Sequence, residues 1–163
     1  MPRDDGNADA RIRWAATLLA TWFHVGKLPK APGTYGSIAA LPFAWGLVWL
    51  GGPWLLLSAT ALAFIAGRWA AARYMERTGE HDPGAIVIDE VVGQWLTLSV
   101  APLTPVAYLL GLLAFRVFDI WKPWPIGWLD KHMHGAFGVM IDDVVAAIYA
   151  GVVLYALLWM VGL

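Results

Sequence analysis

Three long stretches of this chain, residues 31–67, 91–115 and 144–163, contain no Lys, Arg, Asp or Glu. Each is long enough to include a bilayer crossing of about 20 residues. Only 14% of the 163 residues are charged and 60% are hydrophobic, whereas a soluble domain carries about a quarter charged residues. The expectation is one integral membrane domain over residues 1–163. The absence of cysteine excludes a disulfide framework and a thiolate metal site.

Breakers divide these stretches. Gly51-Gly52-Pro53 splits the first into helices of about 36–50 and 54–75. Pro102 and Pro105 split the second into about 84–100 and 105–120, and a last helix runs over about 138–162. The expected fold is an all-α, polytopic membrane bundle of about five transmembrane helices. Residues 1–25 form a cytoplasmic or interfacial segment. Within it, Ile12, Ala15, Ala16, Leu18, Leu19, Trp22 and Phe23 recur at helical spacing. Residues 9–24 therefore read as an amphipathic surface helix or as an ordinary packed helix. The helices on either side of each breaker form a hairpin, with tips at Gly51-Gly52-Pro53 and at Pro102 to Pro105. Arg11, Arg13, Lys27, Lys30, Arg68, Arg73, Arg77, Arg116, Lys122 and Lys131 all lie at the ends opposite these two tips. The positive-inside rule makes that side cytoplasmic.

Counting along the helices from the tips brings Asp89, Asp119 and Asp142 to one level near the cytoplasmic boundary. Carboxylates there cost several kcal/mol without compensation. Arg116 is one turn from Asp119 and can pair with it, but Asp89, Glu90, Asp119, Asp142 and Asp143 outnumber the nearby basic residues. A divalent cation held by hard oxygen ligands, Mg²⁺ or Ca²⁺, would compensate them; structural ion pairs or an ion pathway are the other readings. Gly93 shares a face with Asp89 and leaves room for a substrate or for a packed helix.

Two further motifs suit a phosphate. Lys27 and Lys30 precede the turn Gly33-Thr34-Tyr35-Gly36-Ser37, which opens a membrane helix. Free N–H groups, the helix dipole and the hydroxyls of Thr34 and Ser37 would attract an anion; a capped flexible turn is the plainer reading. Arg116, Asp119 and Lys122 are spaced to share one face of a helix that Pro123 ends. A metal ligand between two cations suits a phosphate ester. Trp121 and Trp124 read as interface anchors. His132 and His134 flank Met133 and suit either metal binding or hydrogen bonding, and His81 and Asp82 fall in an exposed loop.

Taken in order, Gly33-Thr34-Tyr35-Gly36-Ser37, Asp89-Glu90-Val91-Val92-Gly93-Gln94, the run from Phe115 to Ile126 (FRVFDIWKPWPI) and the run from His134 to Asp143 (HGAFGVMIDD) strongly resemble the phosphatidylglycerophosphatase A family. The resemblance covers about residues 26–151, with Ala136 and Ala147 where the family pattern has glycine. It implies a Mg²⁺-dependent enzyme of the bacterial inner membrane, with its active site facing the cytoplasm. The reaction would be hydrolysis of phosphatidylglycerophosphate to phosphatidylglycerol and phosphate, as a step of phospholipid biosynthesis. No nucleic-acid partner is implied. Asp89, Asp119 and Asp142, with Glu90 or Asp143, would hold the metal. Arg116, Lys122 and Lys30 would neutralise phosphoryl oxygens, with Lys27, Gly33, Gly36, Ser37 and His134 lining the substrate site. The nucleophile is a water with a carboxylate base, or Thr34. Against this stand a small transporter, which would need charges at several depths, and a non-catalytic assembly factor, which would have little use for the acidic cluster.

Overall fold

A computed structural model describes residues 5–162. Their regular structure is entirely helical: α1 (Asp5–Ala20), a 3-10 turn (Val25–Lys27), α2 (Pro32–Thr78), α3 (Ile88–Leu98), α4 (Pro105–Trp121), α5 (Ile126–His132) and α6 (Gly135–Met160). The first four residues of the expected N-terminal segment lie outside the described ones.

Pro32 occupies the start of α2, where its missing N–H costs nothing. The helix breaks at Gly51 and Gly52, the latter at φ 71° and ψ −171°, a conformation essentially confined to glycine. Gly36 and Gly67 lie at nearly equal distances on either side of this break. A Cβ on Gly36 would be 2.8 Å from Val87, and one on Gly67 would be 2.8 Å from Ile88. Because Val87 and Ile88 are consecutive, α2 doubles back as a helical hairpin with limbs 32–50 and 53–78, close to the expected pair.

The expected crossing at 84–100 is shorter. α3 has 11 residues, about 16 Å at the α-helical rise, roughly half a hydrocarbon core. Pro83 accepts a turn bond from the Ile86 amide at 2.9 Å, which holds the preceding chain out of the helix. At the other end the Ser99 hydroxyl turns back to the Leu96 carbonyl at 2.7 Å. α3 is instead the central element, with nine of its 11 residues buried. Trp95 Nε1 donates to the Ala40 carbonyl of α2 at 2.9 Å, and the Thr97 hydroxyl reaches Ala147 of α6 at 3.4 Å. A Cβ on Gly111 of α4 would be 2.7 Å from Leu98.

α4 opens with Thr104, whose side chain accepts from the Ala107 amide, and Pro105. It ends at Lys122, which takes a left-handed conformation (φ 45°, ψ 57°) before Pro123. Lys122 therefore leaves the helical face that it was expected to share with Arg116 and Asp119. α6 begins three residues before its expected start, at Gly135.

The outer surface is apolar. Val106, Leu109, Leu113, Val117 and Ile120 form one stripe along α4, each more than half exposed, and Val152, Tyr155 and Trp159 do the same on α6. A contiguous patch of this extent marks a membrane or a partner surface. α2 and α6 are long and apolar enough to cross a bilayer. The N-terminal helix ends at Ala20, short of the expected residue 24, because Trp22, Phe23 and His24 all have positive φ. Its last turn is packed rather than superficial: Ala16 and Ala20 are buried, and the Ala20 carbonyl accepts from the Val87 amide at 2.9 Å. Only the preceding turns, residues 7–15, are exposed throughout.

Candidate active site

The enclosed packing of α3 brings its first turn against the start of α2, the end of α4 and the second turn of α6. Asp89 and Glu90 of α3, Asp119 of α4, and Asp142 and Asp143 of α6 all line one cavity of about 670 Å³. The four aspartates are at most 9% exposed. The two acidic pairs are built alike: Asp89 Oδ1 accepts from the Glu90 amide, and Asp142 Oδ1 from the Asp143 amide, each at 3.0 Å. In each pair the first carboxylate is thereby pinned to the backbone of the second.

The five acids divide into two sets by their cations. Asp119 is paired with Arg116, one turn before it, so the plain ion-pair reading of these two is realised. Asp142 Oδ2 accepts from Lys122 Nζ at 2.7 Å, and Asp130 Oδ1 accepts from the same ammonium at 2.6 Å. Burial alone would lower the Lys122 pKa, but the hydrogen bonds and charges of Asp130 and Asp142 outweigh it and hold the ammonium above its ordinary value. Among the described residues Asp89 and Asp143 have no ion-pair partner, and Glu90 has only the long contact to Arg116 at 4.0 Å. One oxygen from each of these three lies within 4.8 Å of the others. Glu90 Oε2 and Asp143 Oδ2 are buried and accept no hydrogen bond from a donor among the described residues. Three carboxylates so close repel one another unless protons or a cation intervene. An all-oxygen donor set with unsatisfied buried lone pairs fits a hard divalent cation such as Mg²⁺.

Of the expected substrate-binding residues, Gly33, Lys122 and His134 line the cavity. Lys27, Lys30, Thr34, Gly36, Ser37 and Arg116 do not, although Arg116 stands directly behind Glu90 and Asp119. The glycine-rich segment is helix rather than a cradle. The Thr34 amide bonds the Ala31 carbonyl at 3.0 Å, the Ser37 hydroxyl is spent on the Gly33 carbonyl at 3.0 Å, and Gly36 packs on Val87. Lys27 and Lys30 are exposed. Gly93 serves helix packing and not a substrate: a Cβ there would run into the Phe115 ring and come 3.1 Å from the Asp143 carbonyl. His132 does not line the cavity; its Nδ1 is 2.8 Å from the Trp128 carbonyl.

Asp130 lines the cavity and was not foreseen, nor were Met133, Gly138 and Val139. His81 and Asp82 are exposed as expected, yet they too edge the cavity. No sequence spacing would join Asp130 to Lys122, because the turn at Pro123 and Pro125 intervenes.

Among the described residues the fold is all-helical with apolar flanks, and it holds a carboxylate trio and two anchored cations around one cavity, a donor set that suits a metal ion beside a phosphate ester. More particularly, the chain belongs to the phosphatidylglycerophosphatase A family, whose model matches residues 18–158. It is 39% identical over 159 residues to phosphatidylglycerophosphatase A of Escherichia coli (strain K12), covering 95% of this chain and 91% of that one. It is 42% identical over 145 residues to the Haemophilus influenzae protein of the same name, covering 88% and 89%. A Bacteroides thetaiotaomicron relative, provisionally named a phosphatidylinositol-3-phosphatase, is 35% identical over 165 residues, covering 93% and 99%. No solved structure matches the chain significantly. The family makes this chain an enzyme, a phosphoric monoester hydrolase.

Proposed function

We propose that the chain hydrolyses phosphatidylglycerophosphate to phosphatidylglycerol and phosphate, with Mg²⁺, in the bacterial inner membrane as a step of phospholipid biosynthesis. The observation that carries this reading is the uncompensated trio Asp89, Glu90 and Asp143 beside two cations already fixed by Asp119 and Asp142. The trio would hold Mg²⁺, which when bound supplies positive charge against the phosphoryl group. Asp119 and Asp142, first expected among the ligands, are better used to aim Arg116 and Lys122 at phosphoryl oxygens. Fixed charges in a partly dry site stabilise charge spread over those oxygens without reorganising.

Thr34 does not line the cavity, so the nucleophile on this reading is a water. A carboxylate of the pocket takes its proton as its oxygen bonds to phosphorus. The ester P–O bond breaks, and the glycerol oxygen leaves as a hydroxyl after taking a proton from solvent. The apolar stripes on α4 and α6 support the lipid setting. On this layout the limbs of α2, then α4 and α6, cross the bilayer. α3 and residues 99–104 complete the remaining passage, and the cavity opens at the basic, cytoplasmic side.

The reading is tested by incubating purified protein in mixed micelles with phosphatidylglycerophosphate and either Mg²⁺ or EDTA, and measuring free phosphate. Release that needs Mg²⁺ is expected. Absent or Mg²⁺-independent release contradicts the reading.

A further inference from the structure

We infer that Asp130 makes the site selective for doubly charged phosphate monoesters by competing with the ligand for Lys122. This rests on the reading of the cavity as a phosphate monoester site and assigns a role to a residue outside the four sequence blocks that carry the resemblance. Lys122 Nζ lies between Asp130 at 2.6 Å and Asp142 at 2.7 Å. Its single positive charge is thus shared by two carboxylates, and the group as a whole is negative. Lys122 Nζ has three N–H donors, so an incoming phosphate can take the one left over, but it meets a group that is already net negative and binds best when one of the two acids gives way. The Asp142 side chain is 6% exposed and pinned by the Asp143 amide, whereas that of Asp130 is 40% exposed. Asp130 sits on α5, a helix of seven residues, and edges the cavity. It can return to water at little cost, while Asp142 would leave a buried charge unpaired.

The exchange favours some anions over others. A phosphate monoester carries about two negative charges and three terminal oxygens, so it replaces the single charge of Asp130 with a gain. A phosphodiester carries one charge and gains almost nothing over the carboxylate it displaces. Phospholipids around the cavity, and the product phosphatidylglycerol, are phosphodiesters. Asp130 therefore holds Lys122 against the surrounding headgroups and yields it to the monoester.

The test compares wild type, Asp130→Asn and Asp130→Glu in mixed micelles. It measures KM for phosphatidylglycerophosphate and inhibition by added phosphatidylglycerol. In Asp130→Asn, KM is expected to fall about fivefold, the weight of a partly exposed ion pair. Inhibition by phosphatidylglycerol is expected to strengthen by at least as much, and Asp130→Glu to restore both. Asp130→Ser replaces the amide variant if that variant is unstable. An active Asp130→Asn protein whose KM is unchanged or raised, with unchanged inhibition, overturns the inference and leaves Asp130 as a mere prop for Lys122. A wild-type protein that releases no phosphate overturns the functional reading, and this inference with it.

Discussion

The carboxyl group of Glu90 occupies the space that a side chain at Gly33 would need. The first turn of α2 and the first turn of α3 thus meet without an intervening methyl group, and Arg116 closes the contact from α4, its Nη1 3.1 Å from where that Cβ would stand. Gly33→Ala should leave the start of α2 helical, since alanine is the better helix former, but it must push Glu90 aside. A displacement of about 1 Å in such a site costs about 10²-fold in rate. Steady-state kcat and helical circular dichroism on the same sample check this: kcat is expected to collapse while the helix signal stays.

Asp89→Asn and Asp119→Asn should each lower kcat by about 10²–10³-fold with the protein still folded in detergent. They fail for different reasons. Asp89 belongs to the uncompensated trio, whereas Asp119 anchors Arg116. Raising Mg²⁺ should partly rescue Asp89→Asn and leave Asp119→Asn unrescued; near-normal turnover in either contradicts the site.

Gly93→Ala is expected to destabilise the protein by about 1–3 kcal/mol, the usual range for overpacking. The added methyl meets the fully buried Phe115 ring and the Asp143 carbonyl. Thermal unfolding in detergent measures the loss, and pairing the change with Phe115→Leu should recover part of it.

These residues also show what the sequence can and cannot express. Asp89 and Asp119 were legible because a charge inside an apolar run is conspicuous, and helix rise alone brings both to one level. The hairpin of α2 was legible in Gly51-Gly52-Pro53. The glycine-rich segment misled, because Gly33-Thr34-Tyr35-Gly36-Ser37 after Pro32 suits a helix opening as well as a loop; the amide bonds of Thr34 and Tyr35 to Ala31 and the Ser37 bond to Gly33 separate the two. α3 looked longer because its neighbours are as apolar as its interior, and its ends are set by hydrogen bonds at Pro83 and Ser99. The role of Asp130 depends on how the chain turns after Lys122, a property of the turn and not of any spacing.

The Lys122 bridge gives a pH dependence of definite sign. Its pKa in the fold is raised above the ordinary 10.5, so the stabilisation is complete below that value and is lost as pH rises through the higher folded-state value. The difference in thermal stability between wild type and Lys122→Met should therefore be flat from about pH 6 to about pH 9 and shrink only above the ordinary lysine range. A difference that decays near neutrality would show that the bridge does not form.

The division of the five carboxylates into a metal trio and two cation anchors is tested most directly by Mn²⁺ binding to the purified protein, followed by electron paramagnetic resonance. Glu90→Gln and Asp143→Asn are expected to weaken binding by about tenfold or more, with Asp119→Asn and Asp142→Asn staying close to wild type. Equal weakening by all four substitutions, or no Mn²⁺ binding by the wild-type protein, would contradict it.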